Sequence, residues 1–168
     1  DEVLKRRFLN LFAYTGSFTV YAADGAASHT TTVDTSRTYL NWAKRNLALN
    51  QLDGDQHQFV RHEARQYLRE IPESVKFDVV WADPPTFSNR KGEDHDWAVQ
   101  DNHVELLQLI GAHLDCGGVI YFSTNFRRFK LDEDALAEFS IREISAQTVP
   151  PDFRNRRIHR CWRMYKAE

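Results

Sequence analysis

The segment Asp83-Pro84-Pro85-Thr86-Phe87 combines an acidic residue, two prolines and an aromatic residue. A proline disfavours the helical conformation in the residue before it, so the backbone of Asp83 and Pro84 should be extended and stiff. The segment then presents a carboxylate, carbonyl groups without sheet or helix partners, and an aromatic face. This combination suits the binding of a planar nitrogenous ring. The alternative is a rigid turn that leaves Asp83 solvated.

The position of this segment in the chain favours a binding site. The apolar residues Phe77–Ala82 precede it and are typical of a buried strand, so Asp83 stands where that strand ends. Ligands of open parallel sheets bind at the carboxyl ends of the strands. The polar residues Thr86–Asp96 follow, and they predict a mobile loop of the kind that often acts as a lid.

A second candidate segment follows the predicted first strand, Phe8–Phe12. A dinucleotide fingerprint would place three glycines in the turn after this strand, but only Gly16 is present, between bulky Tyr14 and Phe18. These residues argue against NAD and favour a ligand without phosphates. We predict that the cofactor-binding residues here are Phe12, Tyr14, Thr15, Gly16 and Ser17. The alternative is a tight turn with core aromatic residues.

Acidic residues also end the second and third predicted strands. Asp34 follows Thr30–Val33, where a carboxylate can accept hydrogen bonds from both hydroxyls of a ribose. Its alternative role is to cap the helix predicted at Arg37–Asn50, for which Ser36 is also available. Glu63 and Ala64 follow the third strand and would lie beside an adenine ring, unless they simply begin a helix. We therefore add Asp34, Ser36, Glu63, Ala64 and Asp83 to the predicted cofactor site.

Strands alternate with helices along the chain, which predicts an α/β domain with a mostly parallel sheet covered on both faces. The fifth strand is predicted at Val119–Ser123, after a turn at Cys116–Gly118. A helix is expected at Leu131–Phe139. Two final strands are expected at Ile141–Gln147 and Ile158–Tyr165, and as a hairpin they would add one antiparallel strand.

Composition excludes several classes of protein. The 168 residues are 42% hydrophobic and carry a net charge of −2, which suits one globular domain rather than a disordered or strongly cationic chain. Cys116 and Cys161 form no metal-binding spacing, so we expect a reducing, cytoplasmic environment. No segment has the length and apolarity of a membrane span. We also expect a fragment of a longer polypeptide, because the sequence starts without a methionine.

Four stretches of the sequence together resemble class I S-adenosylmethionine-dependent methyltransferases. They are Phe8–Phe18, Val33–Leu40, Asp83–Asn89 and Asp152–His159. More narrowly, the chain resembles the C-terminal, RlmK-type half of the bifunctional RlmK/L enzymes, which methylate guanines of 23S rRNA. The resemblance implies a Rossmann-like sheet of about seven strands with the last one antiparallel, S-adenosyl-L-methionine as cofactor, no metal, and large-subunit rRNA as partner. It further implies an RNA-binding module and a second methyltransferase domain on the full-length chain.

Family members of this type methylate N7 of guanine, an atom with a lone pair and no proton to remove. We predict catalytic roles for Asp83, Pro84, Pro85 and Phe87. Asp83 could stabilise the developing positive charge, hold the base, or contact the methionine end of the cofactor. A guanine in a duplex would have to be unstacked first. We therefore predict RNA contacts from residues that otherwise form only surface charge: Asn125, Arg127, Arg128, Arg154, Arg156 and Arg157.

Three alternatives to N7 methylation remain. An exocyclic amine, such as N2 of guanine, could donate to the Asp83 carboxylate and the Pro84 carbonyl. Cytosine C5 methylation needs a cysteine nucleophile, and the sequence places none directly after Asp83 or after the fifth strand. A non-catalytic RNA-binding or scaffold domain is the third alternative, and it would be recognised by a failure to bind S-adenosylmethionine.

Overall fold

The computed structural model describes residues 4, 6–88, 97–149, 152 and 158–166. The strands are β1 (Arg7–Leu11), β2 (His29–Asp34), β3 (His57–Arg61), β4 (Phe77–Ala82), β5 (Phe87–Ser88), β6 (Trp97–Ala98), β7 (Leu114–Thr124), β8 (Phe139–Glu143) and β9 (Arg160–Lys166). The helices are α1 (Ser17–Asp24), α2 (Arg37–Leu49), α3 (Ala64–Glu70), α4 (Val99–Ala112) and α5 (Ser145–Thr148).

Seven strands form one sheet in the order β3-β2-β1-β4-β7-β9-β8. The pairs from β3 through β7 are parallel, whereas β9 is antiparallel to both of its neighbours. The predicted mostly parallel sheet of seven strands with the last one reversed is confirmed. The strand order changes direction between β1 and β4, and such a switch point opens a crevice at the carboxyl ends of the strands.

The main core lies between the sheet and α3 and α4. Inward side chains of all the central strands contribute to it, including Leu9, Val80, Ile120 and Trp162. A smaller cluster around Phe8 packs on the opposite face, where α1 and α2 lie. Within the described residues, no helix combines the length and the apolar character needed to cross a bilayer.

A buried polar chain fixes α1 on the sheet. The Asn10 side-chain amide donates to Thr19 Oγ1 at 3.0 Å, and the Thr19 and Thr32 hydroxyls lie 2.9 Å apart. All three residues are buried. Buried polar groups are costly unless they are paired, so this chain favours one arrangement of α1 relative to β1 and β2. The sequence patterns did not predict these buried hydrogen bonds.

The predicted helix at Leu131–Phe139 is wrong. The segment forms successive turns and then enters β8, with backbone bonds from Leu136 N–H to the Glu133 carbonyl and from Phe139 N–H to the Leu136 carbonyl. The carboxylate of Asp132 accepts the Ala135 N–H at 3.0 Å and favours the turn. A single apolar pair spaced by three residues fits tight turns as well as a helix, which explains the error.

Two other boundaries differ from the sequence prediction. The strand expected at Ile141–Gln147 ends at Glu143, and α5 follows. The turn expected at Cys116–Gly118 is instead part of β7, whose pairing with β4 shifts register there. Gly117 has φ +71°, a conformation that strongly favours glycine, so the glycines mark an irregular strand rather than its boundary.

His113 joins three segments behind the sheet. Its ring is buried, with Nδ1 2.9 Å from the Val75 carbonyl oxygen and Nε2 2.8 Å from the Leu68 carbonyl oxygen. The residue immediately follows α4, and the two carbonyl oxygens near its ring lie in α3 and in the loop before β4. The ring therefore supplies a hydrogen-bond donor at a point where backbone groups would otherwise be buried without a partner.

We expect His113→Leu to lower the free energy of unfolding by about 1–3 kcal/mol, the cost of an unsatisfied buried polar group. Leucine keeps most of the volume and removes only the polar ring. Urea denaturation followed by circular dichroism measures the change. The exposed His29 offers a control, since His29→Leu should change stability by less than about 0.5 kcal/mol. Equal effects of the two substitutions would contradict this assignment.

Candidate cofactor and base site

A cavity of about 290 Å³ opens at the carboxyl edge of the sheet, at the switch between β1 and β4. Its size is close to the lower limit for small-molecule sites, which is about 300 Å³. The predicted site residues that line it are Phe12, Tyr14, Asp34, Glu63, Ala64, Asp83, Pro84, Pro85 and Asn125. Side chains from five strand ends thus meet at one place, as the sequence pattern predicted.

Asp34 is oriented by two backbone donors. Its Oδ2 accepts the Tyr14 N–H at 3.0 Å, and its Oδ1 accepts the Ser36 N–H at 2.8 Å. A carboxylate oxygen can accept more than one hydrogen bond, so both oxygens keep capacity for a ligand. Asp34 lines the cavity, and its carboxylate is therefore positioned to accept hydroxyl groups there.

Several predicted cofactor residues shape the turn without lining the cavity: Thr15, Gly16, Ser17 and Ser36. Gly16 has φ +75°, and a Cβ atom there would lie 2.5 Å from Ala43 Cβ, so the backbone of Gly16 approaches α2 closely. Ser36 caps α2 by accepting the Tyr39 N–H at 3.3 Å, which is the capping role considered for Ser36 from the sequence. Asn46 donates to the Thr15 carbonyl and fixes the turn on α2.

Glu63 both lines the cavity and caps a helix. Its Oε2 accepts the Gln66 N–H at 2.8 Å at the start of α3, and Ala64 is buried beside it. Arg65 donates to Glu105 at 2.9 Å and lies over the ring of Trp97. The other carboxylate oxygen of Glu63, Oε1, accepts a longer bond from Arg65 Nε at 3.4 Å, so helix capping and a place in the cavity wall occur together in Glu63.

Asp83 is held by a residue that the sequence analysis missed. The hydroxyl of Ser123, which is fully buried at the end of β7, donates to Asp83 Oδ1 at 2.6 Å. Ala82 pairs with Phe122, so Asp83 and Ser123 follow one register position later. Parallel pairing of the fourth and fifth strands would have placed a hydroxyl beside the acid, which is the signal that the sequence contained.

Two of the three carbonyls from Pro84 to Thr86 accept hydrogen bonds within the protein. The Pro85 carbonyl accepts the indole N–H of Trp97 at 2.7 Å, and the Thr86 carbonyl accepts the Val99 N–H. Within the described residues, only the Pro84 carbonyl of these three accepts no hydrogen bond. Of the carbonyls expected to be available to a ligand, that of Pro84 remains. Trp97 is a second site residue that was not identified from the sequence.

The remaining predicted residues lie around the cavity or outside the described part of the chain. Phe87 is 65% exposed, does not line the cavity, and has its ring 6.0 Å from that of Phe126. Arg127 and Arg128 are exposed, close in sequence to the lining residue Asn125. The predicted RNA contacts Arg154, Arg156 and Arg157, and residues 89–96 of the predicted lid, lie outside the described residues. The ends of that lid pair as β5 and β6.

Cys161 lies in β9 opposite Ser123 and close to Asp83. It is fully buried, and burial raises the pKa of its thiol to about 12, with further contributions from the Asp83 and Glu143 carboxylates. The thiolate, which is the nucleophilic form, is therefore disfavoured. Cys116 is exposed at the start of β7, at the other end of the strand from Ser123.

The cavity fits the methyl donor that the resemblance implied. The Asp34 carboxylate suits the ribose hydroxyls, and Val33, Phe12 and Ala64 provide apolar surface for an adenine ring. No cluster of three potential metal ligands occurs in the described part of the chain. The lining residues suit a nucleoside, with one carboxylate at each of two strand ends, Asp34 and Asp83.

Comparison with known proteins agrees with this chemistry. The sequence model of the S-adenosylmethionine-dependent methyltransferase family matches residues 1–157. The chain is 51% identical over 163 residues to the ribosomal RNA large subunit methyltransferase K/L of Ectopseudomonas mendocina, covering 96% of this chain. It is 48% identical over 158 residues to the ribosomal RNA large subunit methyltransferase K of Neisseria meningitidis serogroup B, covering 94% of this chain. It spans 22% and 45% of the lengths of those two relatives.

Solved structures share the fold at low sequence identity. SMU.776, a methyltransferase in complex with SAH, superposes with a TM-score of 0.80 at 22% identity, over 96% of this chain and 45% of that chain. A SAM-dependent methyltransferase from Agrobacterium tumefaciens gives a TM-score of 0.76 at 20% identity, over 96% and 56% of the two chains. The chain belongs to the S-adenosylmethionine-dependent methyltransferase family, and S-adenosylmethionine is its cofactor.

Proposed function

We propose that the chain methylates N7 of a guanine in large-subunit rRNA, using S-adenosylmethionine as methyl donor. The observation that carries this proposal is the 48–51% identity, over almost the whole chain, to relatives named for methylation of large-subunit rRNA. The choice of guanine N7 rests on the motifs shared with the RlmK type. Residues 1–168 would then form one methyltransferase domain of a longer cytoplasmic polypeptide, whose other domains contribute RNA binding and a second methylation.

The geometry around Asp83 supports a base-binding site. The Ser123 hydroxyl fixes one carboxylate oxygen of Asp83 at 2.6 Å, and Asp83 lines the cavity. The adjacent Pro84 carbonyl supplies an acceptor, and Phe87, which is exposed outside the cavity, would offer a stacking face at its margin. Asn125 lines the same cavity and, with Arg127 and Arg128, could hold the nucleotide and its phosphates. We extend this role to Arg154, Arg156 and Arg157.

The reaction needs orientation more than proton transfer. S-adenosylmethionine, when bound, supplies an electrophilic methyl group on a sulfonium sulfur. The N7 lone pair of guanine forms the new bond to carbon as the carbon–sulfur bond breaks, and the positive charge passes to the purine. Asp34 holds the nucleoside half of the donor, and the stiff Asp83-Pro84 backbone positions the base for in-line attack. The Asp83 carboxylate stabilises the cationic purine electrostatically.

A second candidate keeps the site and changes the accepting atom. The Asp83 carboxylate and the Pro84 carbonyl are both acceptors, so they could bind the two hydrogens of an exocyclic amine such as N2 of guanine. Cytosine C5 methylation is disfavoured, because the thiol nearest Asp83, that of Cys161, is buried with a pKa raised to about 12. A scaffold role without turnover is disfavoured by the presence of acidic anchors at both halves of the cavity.

The product of the reaction tests the proposal directly. The full natural polypeptide is incubated with unmodified 23S rRNA and methyl-labelled S-adenosylmethionine, and the RNA is digested to nucleosides. We expect label in 7-methylguanosine. Guanine N7 carries no proton, so its methylation needs no general base, and the described site offers carboxylates for charge stabilisation. If residues 1–168 carry the activity, Asp83→Asn within them should strongly reduce this product. Label in N2-methylguanosine alone, sensitive to that substitution, would assign the second candidate, and label in 5-methylcytidine would overturn both.

We expect Asp83→Asn to lower kcat by about 10²–10³-fold, as when one preorganised electrostatic group is removed. Asparagine keeps an oxygen that can accept the Ser123 hydroxyl, so the fold should be retained. S-adenosylmethionine affinity, measured by calorimetry, should change much less than kcat. Asp78→Asn is the matched control, since Asp78 lies at the opposite end of the same strand and accepts the Arg7 N–H. Full activity of Asp83→Asn would refute the catalytic assignment.

We expect Asp34→Asn to weaken S-adenosylmethionine binding by about 10- to 100-fold, because hydrogen bonds to an ionised acceptor contribute roughly 1.5–3 kcal/mol. The loss should extend to S-adenosylhomocysteine, which has the same ribose. Asp24→Asn, an exposed acid at the end of α1, should leave both affinities unchanged. If the affinities survive in Asp34→Asn while the melting temperature falls, then Asp34 serves only the turn.

A further inference from the structure

Three large aromatic side chains form an exposed surface beside the cavity. Tyr14 is 55% exposed, Tyr39 37% and Trp42 44%. The Tyr14 ring lies edge-on to Tyr39 at 4.6 Å and 6.4 Å from Trp42. We call these three residues the aromatic platform. Tyr39 and Trp42 belong to α2, and Tyr39 lines the cavity together with Tyr14.

The platform is held rigidly. Tyr14 has φ +49°, which non-glycine residues rarely adopt, and its N–H is bound to Asp34. Asn46 of α2 donates to the neighbouring Thr15 carbonyl at 2.9 Å. A strained backbone that presents an exposed tyrosine has no evident benefit for packing. Strain of this kind is found where a side chain must be held for function.

The helix under the platform has an unbalanced charge. α2 contains three cations, Arg37, Lys44 and Arg45, and no acidic residue, although the whole chain has a net charge of −2. Within the described residues, none of the three forms an ion pair, and Lys44 lies over the ring of Phe59. The arginines of α3, by contrast, are paired with Glu105. Trp42 and Arg45 are three positions apart and so are neighbours on the helix surface.

We propose that the platform and the cations of α2 bind an unpaired RNA segment next to the target base, which rests on the proposed function. Aromatic faces that stack bases beside cations that track phosphates are the usual means of binding single-stranded nucleic acid. Charge complementarity favours RNA as the occupant, because a helix that carries three cations and no acidic residue attracts a polyanion. Tyr14 and Tyr39 also line the cavity, so the RNA would run from the platform directly to the base site.

This route gives the RNA two contacts on either side of the cavity. Asn125 borders it together with Asp83, and Arg127 and Arg128 follow Asn125 in sequence, whereas Tyr14 and Tyr39 of the platform border it together with Asp34. When a guanine is unstacked, the nucleotides next to it must be bound by the protein. Stacking of these nucleotides on aromatic side chains offsets part of the free-energy cost of unstacking. The platform would therefore favour substrates with unpaired nucleotides beside the target over fully paired ones.

The test uses Trp42→Ala in the full natural polypeptide, because Trp42 does not line the cavity. Binding of a fluorescent oligoadenylate of about 12 nucleotides and of a blunt RNA duplex is followed by anisotropy at several salt concentrations. We expect oligoadenylate affinity to fall about 5- to 100-fold, with duplex binding and S-adenosylmethionine affinity unchanged. Arg45→Gln should reduce the salt dependence of oligoadenylate binding by about one phosphate contact.

Tyr21→Ala is the matched control, since Tyr21 is an exposed aromatic residue on α1 that is not part of the platform. It should change none of these affinities. Unchanged oligoadenylate binding in Trp42→Ala would overturn the proposal, as would a parallel loss of duplex and S-adenosylmethionine binding. A lower melting temperature with unchanged RNA affinity would instead assign the platform to packing within the domain and would overturn the proposal. A methylated product other than 7-methylguanosine would refute the proposed function while leaving the platform result valid.

Discussion

The site depends on a backbone constraint between β1 and α1. Phe12, Tyr14 and Gly16 all have positive φ, and for the two aromatic residues this conformation costs on the order of 1–3 kcal/mol each. The Asp34 carboxylate offsets part of this cost by accepting the Tyr14 N–H. The same carboxylate is the acid that suits a ribose. One side chain thus holds the strained turn and offers the oxygens that a nucleoside requires.

The turn between β1 and α1 also fixes the positions of α1 and α2. Gly16 packs so closely on Ala43 that a side chain there would clash with α2. The buried hydrogen bond from Asn10 of β1 to Thr19 fixes α1 on the sheet. Both helices are positioned by residues of β1 and the following turn, which also carry the lining residues Phe12 and Tyr14, so the geometry of the site depends on this packing. A change in the turn would move α2, and with it the aromatic surface beside the cavity.

The elements with strong periodicity could be predicted from the sequence, and so could the acids that end their strands. Asp34 and Asp83 needed only the rule that ligands lie at the carboxyl ends of parallel strands. Ser123 and Trp97 were missed because their partners, Asp83 and the Pro85 carbonyl, are identified only by strand register and loop path. The segment at Leu131–Phe139 was predicted as a helix because turns spaced by three residues give the same apolar pattern.

The position of β9 has a consequence for how the protein is made. The last strand lies between β7 and β8, and β8 borders the sheet only through β9. During synthesis, β8 therefore has no place in the sheet until the final described residues have left the ribosome. Until then β7 is an open sheet edge, which is a template for pairing with other chains. The domain completes its fold in a late step, and premature termination would leave an edge prone to aggregation.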